Sequence, residues 1–159
     1  FQMIAHGISS SGMFFLVGVI YERTHTREIG HYSSLVRVMP RFAFFTILAF
    51  VAAVGLPGTA GFIAELHALI GGFQVWGGWV AILSLGVLIS AAYAIRTVGR
   101  LFTGPVRPEM AGVPDLGPTE LLAAGVLTAG FLLLGLFPAT ILQLVGASVA
   151  RFGAVLAAS

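Results

Sequence analysis

The sequence predicts an all-α, polytopic membrane protein: a helix bundle with four crossings, one of them discontinuous, and a C-terminal helix lying at the membrane interface. Three observations predict it. The 159 residues are 58% hydrophobic and only 9% charged, with a mean hydropathy of +1.01, whereas soluble domains carry about 25% charged residues. The apolar residues fall into runs near the ~20 residues that carry a helix across the hydrocarbon core. Finally, one carboxylate, Glu65, stands inside such a run just after the interruption Gly55-Leu56-Pro57-Gly58. A continuous helix avoids that interruption, and an acid at membrane depth is costly enough to mark function.

Composition also excludes classes of function. With no cysteine there is no disulfide framework, thiolate metal site or thiol nucleophile. All eight basic residues are arginines, and they cluster rather than forming a surface-wide basic field. The net charge of +2 is therefore a signal of topology and gives no argument for nucleic acid. The chain opens at Phe1 already inside an apolar helical pattern, without a charged leader. It reads as the C-terminal piece of a longer polypeptide, residues 1–159 forming one membrane-domain fragment, and offers no ground for a signal peptide.

The first crossing covers about residues 1–20. Gln2, His6, Ser9 and Ser10 follow i, i+4, i+7/i+8 spacing and share one face, with Met13 continuing the line. Two readings of that seam stand side by side: interhelical hydrogen bonding, or a proton relay through His6, whose ordinary pKa near ~6.5 suits the task. Residues 21–41 form a polar connector with Arg23, Arg27, Arg37 and Arg41 against Glu22 and Glu28. His25 and His31 lie there without carboxylate or cysteine companions at ligand spacing, so no metal site is expected.

Two apolar runs flank the interruption, and the second crossing is read as one broken segment over about residues 42–73. At about 1.5 Å per residue each half is too short to span alone. A break at membrane depth leaves carbonyls at the end of one half and amides at the start of the other, tolerable only in protein or beside a wet cavity. Gly55, Pro57 and Gly58 are the expected hinge, and interrupted segments of this kind point to ion pathways. Gly61, Glu65, Ala68 and Gly72 share a helical face whose small residues admit a neighbouring helix, so Glu65 is expected to point into the bundle. There desolvation favours its neutral form and the positive end of the second half-helix favours its anion. A carboxyl held between those effects loads and unloads a proton. His67 lies about 200° around the helix from Glu65, leaving it an accessory relay or an interhelical donor.

Trp76 and Trp79 suggest an interfacial aromatic belt, and the third crossing runs over about 79–102, with Tyr93, Arg96 and Arg100 near its end. Residues 103–117 are a Pro/Gly-punctuated loop. Pro118 and Glu120 favour a helix start, and the fourth crossing covers about 119–137. The tail, about 139–157, places Ile141, Leu142, Val145, Val149, Phe152, Val155 and Leu156 on one side, apart from Gln143 and Arg151, as an interfacial helix would. If the broken segment crosses once, loops 21–41 and 103–117 fall together. The positive-inside rule assigns them to the cytoplasm and the C-terminus to the opposite side.

Three stretches carry a family resemblance: Gln2-Met3-Ile4-Ala5-His6-Gly7, the loop run Tyr21 to Ile29, and Gly55 to Phe62 followed by Glu65. They resemble the C-terminal third of the subunit M family of NADH-quinone oxidoreductase, the respiratory complex I. The resemblance implies the last four transmembrane helices of a fourteen-helix, antiporter-like subunit built on two inverted repeats. It implies that Glu65 matches the acid of the second repeat's broken helix and that His6 belongs to a polar axis carrying protons. Gln2, Ser9 and His67 are accessory candidates. Ala64 stands where the family usually has Gly, and His67 where the residue is commonly apolar. The implied role is proton translocation coupled to electron transfer in other subunits. NADH, FMN, iron-sulfur clusters and quinone would be held by partners, with no cofactor in this chain. Expected partners are other membrane-arm subunits, the lipid bilayer of the inner (cytoplasmic) membrane, and internal waters. A multi-subunit cation/proton antiporter and an energy-converting membrane hydrogenase share the architecture and remain alternatives.

Overall fold

A computed structural model of the chain describes residues 1–157. Seven helices follow one another: α1 (Gln2–Thr24), α2 (Leu35–Val38), α3 (Pro40–Ala53), α4 (Ala60–Trp76), α5 (Trp79–Phe102), α6 (Pro118–Leu136) and α7 (Ala139–Ala157), with 3-10 turns at Ile29–His31 and Pro108–Met110. The protein is an all-α, multi-pass membrane bundle. α1, α5 and α6 are each long and apolar enough to cross a membrane. The 14 residues of α3 and the 17 of α4 are two arms of one discontinuous helix.

α1, α3, α4 and α6 pack on one another, and α5 lies against α3 and α4. The interior divides into two kinds of packing. Toward the loop end, large side chains fill the space, among them Leu16, Tyr32, Met39, Phe42, Phe102 and Met110. Near the break the buried set is Ala5, Ala52, Ala60 and Ala64 around Phe131, so backbones approach closely there. Small residues at helix crossings supply that approach in membranes, where lipid tails remove the hydrophobic drive for association. The loop end and the region of the break obey different packing rules.

The loop end is held by polar contacts. α1 continues to Thr24, one turn beyond the expected limit near residue 20. Its last turn gains partners: the Thr24 hydroxyl donates to Ile20 O at 2.8 Å, and the Arg23 guanidinium forms a bidentate pair with Glu120, Nη1 to Oε1 at 2.9 Å and Nη2 to Oε2 at 2.6 Å. Arg23 Nε also donates to Pro114 O at 2.9 Å. Glu120 in turn accepts the Gly117 amide at 2.7 Å, capping the start of α6. Asp115 reaches across to the start of α3 and accepts the amides of Arg41 at 2.9 Å and Phe42 at 3.0 Å. It thus does for another helix what an N-cap side chain does for its own. Ser33 Oγ donates to Pro105 O at 2.7 Å, and the Ser34 amide to Thr103 O at 3.2 Å. The two Arg-bearing loops therefore lie at one end of the bundle, as the sequence reading expects.

α4 continues to Trp76, beyond the limit near residue 73 expected for the broken segment, and turns through Gly77 and Gly78 into α5. Trp76 and Trp79 are both exposed at that turn. α7 makes no extensive packing with the other helices among the described residues. Leu144, Val149 and Phe152 are exposed on it; the side chains of Val155 and Leu156, assigned to the apolar face from sequence, lie outside the described residues.

Candidate functional site

The break spans Val54 to Thr59 and is tightly wound. Carbonyls expected to be left open at the end of α3 are largely satisfied within it: Phe50 O accepts from Val54 N at 3.0 Å, Ala52 O from Gly55 N at 3.2 Å and Val51 O from Leu56 N at 3.2 Å. Gly55 and Gly58 make this possible with φ of 72° and 97°, a region where an L side chain is strained. Thr59 precedes α4, but its hydroxyl turns back to Leu56 O at 2.8 Å. The first-turn amides of α4 therefore have no side-chain cap, and that end keeps its partial positive charge.

A helix from outside the segment fixes the break. A Cβ on Gly135 of α6 would lie 2.5 Å from Gly58 O, and one on Gly61 would lie 2.7 Å from Ala52 O. Backbone thus meets backbone on both sides of the hinge, which only glycine permits at these positions.

Glu65 sits one and a half turns into α4, and its side chain folds back over the hinge. A Cβ on Gly55 would fall 2.6 Å from Glu65 Oε2 and 3.1 Å from Oε1, so the carboxylate fills the space a side chain at 55 would need. The two features singled out by sequence, the hinge glycine and the acid, are one piece of structure. Among the described residues the Glu65 carboxylate makes no ion pair, the Arg23–Glu120 bridge being elsewhere. Glu65 is half-buried and faces a cleft of about 340 Å³.

That cleft gathers the polar residues expected on α1 together with Glu65. Gln2, His6, Ser9 and Ser10 of α1 line one wall, and Gly61 and Glu65 of α4 another. Ser10 Oγ lies 3.2 Å from His6 Nε2 and 3.3 Å from Nδ1. The buried Ser9 hydroxyl donates to Ala5 O at 3.0 Å. His6 is exposed on the cleft side of α1. The structure adds Tyr93 of α5 to the lining, a residue placed from sequence only near the end of its helix beside Arg96; its phenolic hydroxyl both donates and accepts.

His67 does not join the group. Its Nδ1–H donates to Ile63 O at 2.7 Å, on its own helix, and the side chain is exposed. Ala68 is exposed too, whereas Gly61 lies against Ala52 O and Gly72 against Val80 at the start of α5. Pro57 is exposed at the tip of the break and touches none of the cleft. His25 is the left-handed residue closing α1, with φ of 53°, and His31 meets Tyr32 edge-on. Among the described residues no three His, Asp or Glu side chains group as metal ligands would.

A family described as "NADH:quinone oxidoreductase/Mrp antiporter, TM" matches residues 1–90. The chain is 43% identical over 153 residues to NADH-quinone oxidoreductase subunit M of Rhodobacter capsulatus, covering 95% of this chain and 30% of the relative. It is 34% identical over 144 residues to subunit M of Escherichia coli (strain K12), covering 89% and 28%. It is also 32% identical over 150 residues to NADH-ubiquinone oxidoreductase chain 4 of Arabidopsis thaliana, covering 94% and 30%. The chain spans about three tenths of the length of these relatives. On the strength of that match across more than half of its residues, the chain belongs to the NADH:quinone oxidoreductase/Mrp antiporter transmembrane family.

Proposed function

We propose that the chain forms the C-terminal part of a proton-translocating subunit in the membrane arm of an NADH:quinone oxidoreductase, and that Glu65 is a proton-loading site. The observation that carries the reading is the cleft itself. It sets a carboxylate without an ion-pair partner among the described residues opposite Gln2, His6 and Ser9. Polar groups at membrane depth are costly unless used. The relatives quoted above are named as oxidoreductase subunits, which favours this reading over a stand-alone cation/proton antiporter or a membrane hydrogenase.

In this reading the chain makes four crossings, α3 and α4 together counting as one, with 1–159 as a single membrane unit and α7 at the interface. The joined Arg-bearing loops face the cytoplasm and the C-terminus faces the other side. Electrons, cofactors and quinone belong to partner subunits. The carboxylate takes a proton delivered through water, His6 and the hydroxyls of Ser9 and Ser10, and releases it when a charge nearby changes. Moving one charge against 100 mV costs about 2.3 kcal/mol. A change in proton affinity of that size is modest for a carboxyl in a partly dry site beside a helix terminus. His67, bonded to its own helix, serves at most as an accessory.

The test uses the whole complex in sealed membrane vesicles. Glu65→Gln keeps shape and removes the titratable group; the expected result is an assembled enzyme that translocates fewer protons per NADH oxidised. An unchanged proton-to-electron ratio with normal turnover would remove Glu65 from the pathway.

A further inference from the structure

Two cavities lie toward the loop end, the first sharing Met13 and Val17 with the wall of the Glu65 cleft. The first, of about 270 Å³, lies between α1, α3 and α5. Its walls are mostly hydrocarbon, with Leu16, Ile20, Phe42, Phe50 and Leu101 among them, and Arg27 stands in its lining. The guanidinium of Arg27 lies over the Tyr21 ring, 4.8 Å from its centroid. The second, of about 320 Å³, is polar and lies against Arg100, Arg107, Gly104 and Ser33. Ile29 and Tyr32 line both, so the two share a wall.

We propose that the pair forms one binding site for an anionic phospholipid, with an acyl chain in the apolar cavity and the phosphate against Arg100 and Arg107. Three observations carry the assignment. The lining of the first cavity is mostly hydrocarbon, Thr46 Oγ1 being the buried hydroxyl there without a partner among the described residues; a water needs two to four polar partners, so the space suits hydrocarbon better. Arg100 and Arg107 are exposed and make no ion pair among the described residues, so an anion meets two uncommitted guanidiniums suited to a phosphate. The site also lies where helices of crossing length end in basic loops, which is headgroup depth for a chain that enters from the bilayer. A free phosphate satisfies the arginines and leaves the apolar cavity unexplained. The site rests on membrane residence alone and is independent of the role proposed for Glu65.

The experiment is photolabelling of the full-length protein in its native complex. Phosphatidylglycerol and phosphatidylcholine, each carrying a diazirine on one acyl chain, are compared, and labelled peptides are mapped by mass spectrometry. The expected result is preferential labelling by phosphatidylglycerol of the α3 peptide containing Phe42 and Phe50 and of the α5 peptide containing Leu101. Labelling falls about fivefold for each of Arg100→Gln and Arg107→Gln. Both side chains are exposed, so these variants should fold; Arg107→Gln, in the loop, serves alone if the other fails to assemble. Equal labelling by the two lipids, or labelling indifferent to both substitutions, overturns the site. So does inorganic phosphate binding at the arginines without lipid label in the cavity.

Discussion

Two acids in this chain live under opposite regimes. Glu120 is held by both terminal nitrogens of Arg23 and by the Gly117 amide, and its neighbour Asp115 accepts three amides, from Arg41, Phe42 and Leu116. Glu65 is packed against a glycine in a cleft, with no ion-pair partner among the described residues. Charges that build the fold are saturated with donors. The contrast separates acids that hold helices together from the one for which we propose proton exchange.

The comparison breaks most visibly at the hinge. Leucine at position 135 would drive its side chain into Gly58 and Thr59, where even a Cβ collides. Gly135→Leu is expected to cost about 3 kcal/mol or more and to abolish accumulation of the assembled complex, read by native gel of solubilised membranes. At the clamp, Arg23→Gln leaves Glu120 partly buried, at 22% side-chain exposure, without its charge partner. The expected loss is about 2 kcal/mol, seen as a lower midpoint of thermal inactivation with the proton-to-electron ratio intact. Asp115→Asn retains an acceptor for the start of α3 but removes the charge. It should cost about 1 kcal/mol, again in stability alone. His67→Leu touches neither region, and its effect should stay within about 0.5 kcal/mol with normal proton translocation. A fall in the proton ratio for His67→Leu would return that residue to the pathway.

The same division explains what the sequence revealed. The hinge was legible because Gly55-Leu56-Pro57-Gly58 is a local signal, and the α1 wall of the cleft because Gln2, His6 and Ser9 repeat with helical spacing. Such features depend on residues within a turn or two of one another. The clamp was not legible. Arg23 and Glu120 are 97 residues apart, and Arg41 and Asp115 are 74 apart. Asp115 lies within a stretch read only as a loop, and Glu120 was read only as a dipole partner for its own helix. The extra turn of α1 was missed for the same reason, since Tyr21 to Thr24 are polar by composition and helical because Arg23 and Thr24 find acceptors. Tyr93 joined the cleft through the packing of α5, which nothing in its own helix announces.

The most direct test of the separation is infrared difference spectroscopy of the turning-over complex, comparing the native enzyme with Glu65→Gln and Glu120→Gln. A protonated-carboxyl band that rises and falls with turnover should lose one component in Glu65→Gln and keep it in Glu120→Gln. A band unchanged by Glu65→Gln, or one that disappears with Glu120→Gln instead, would contradict the assignment of Glu65 as the exchanging acid.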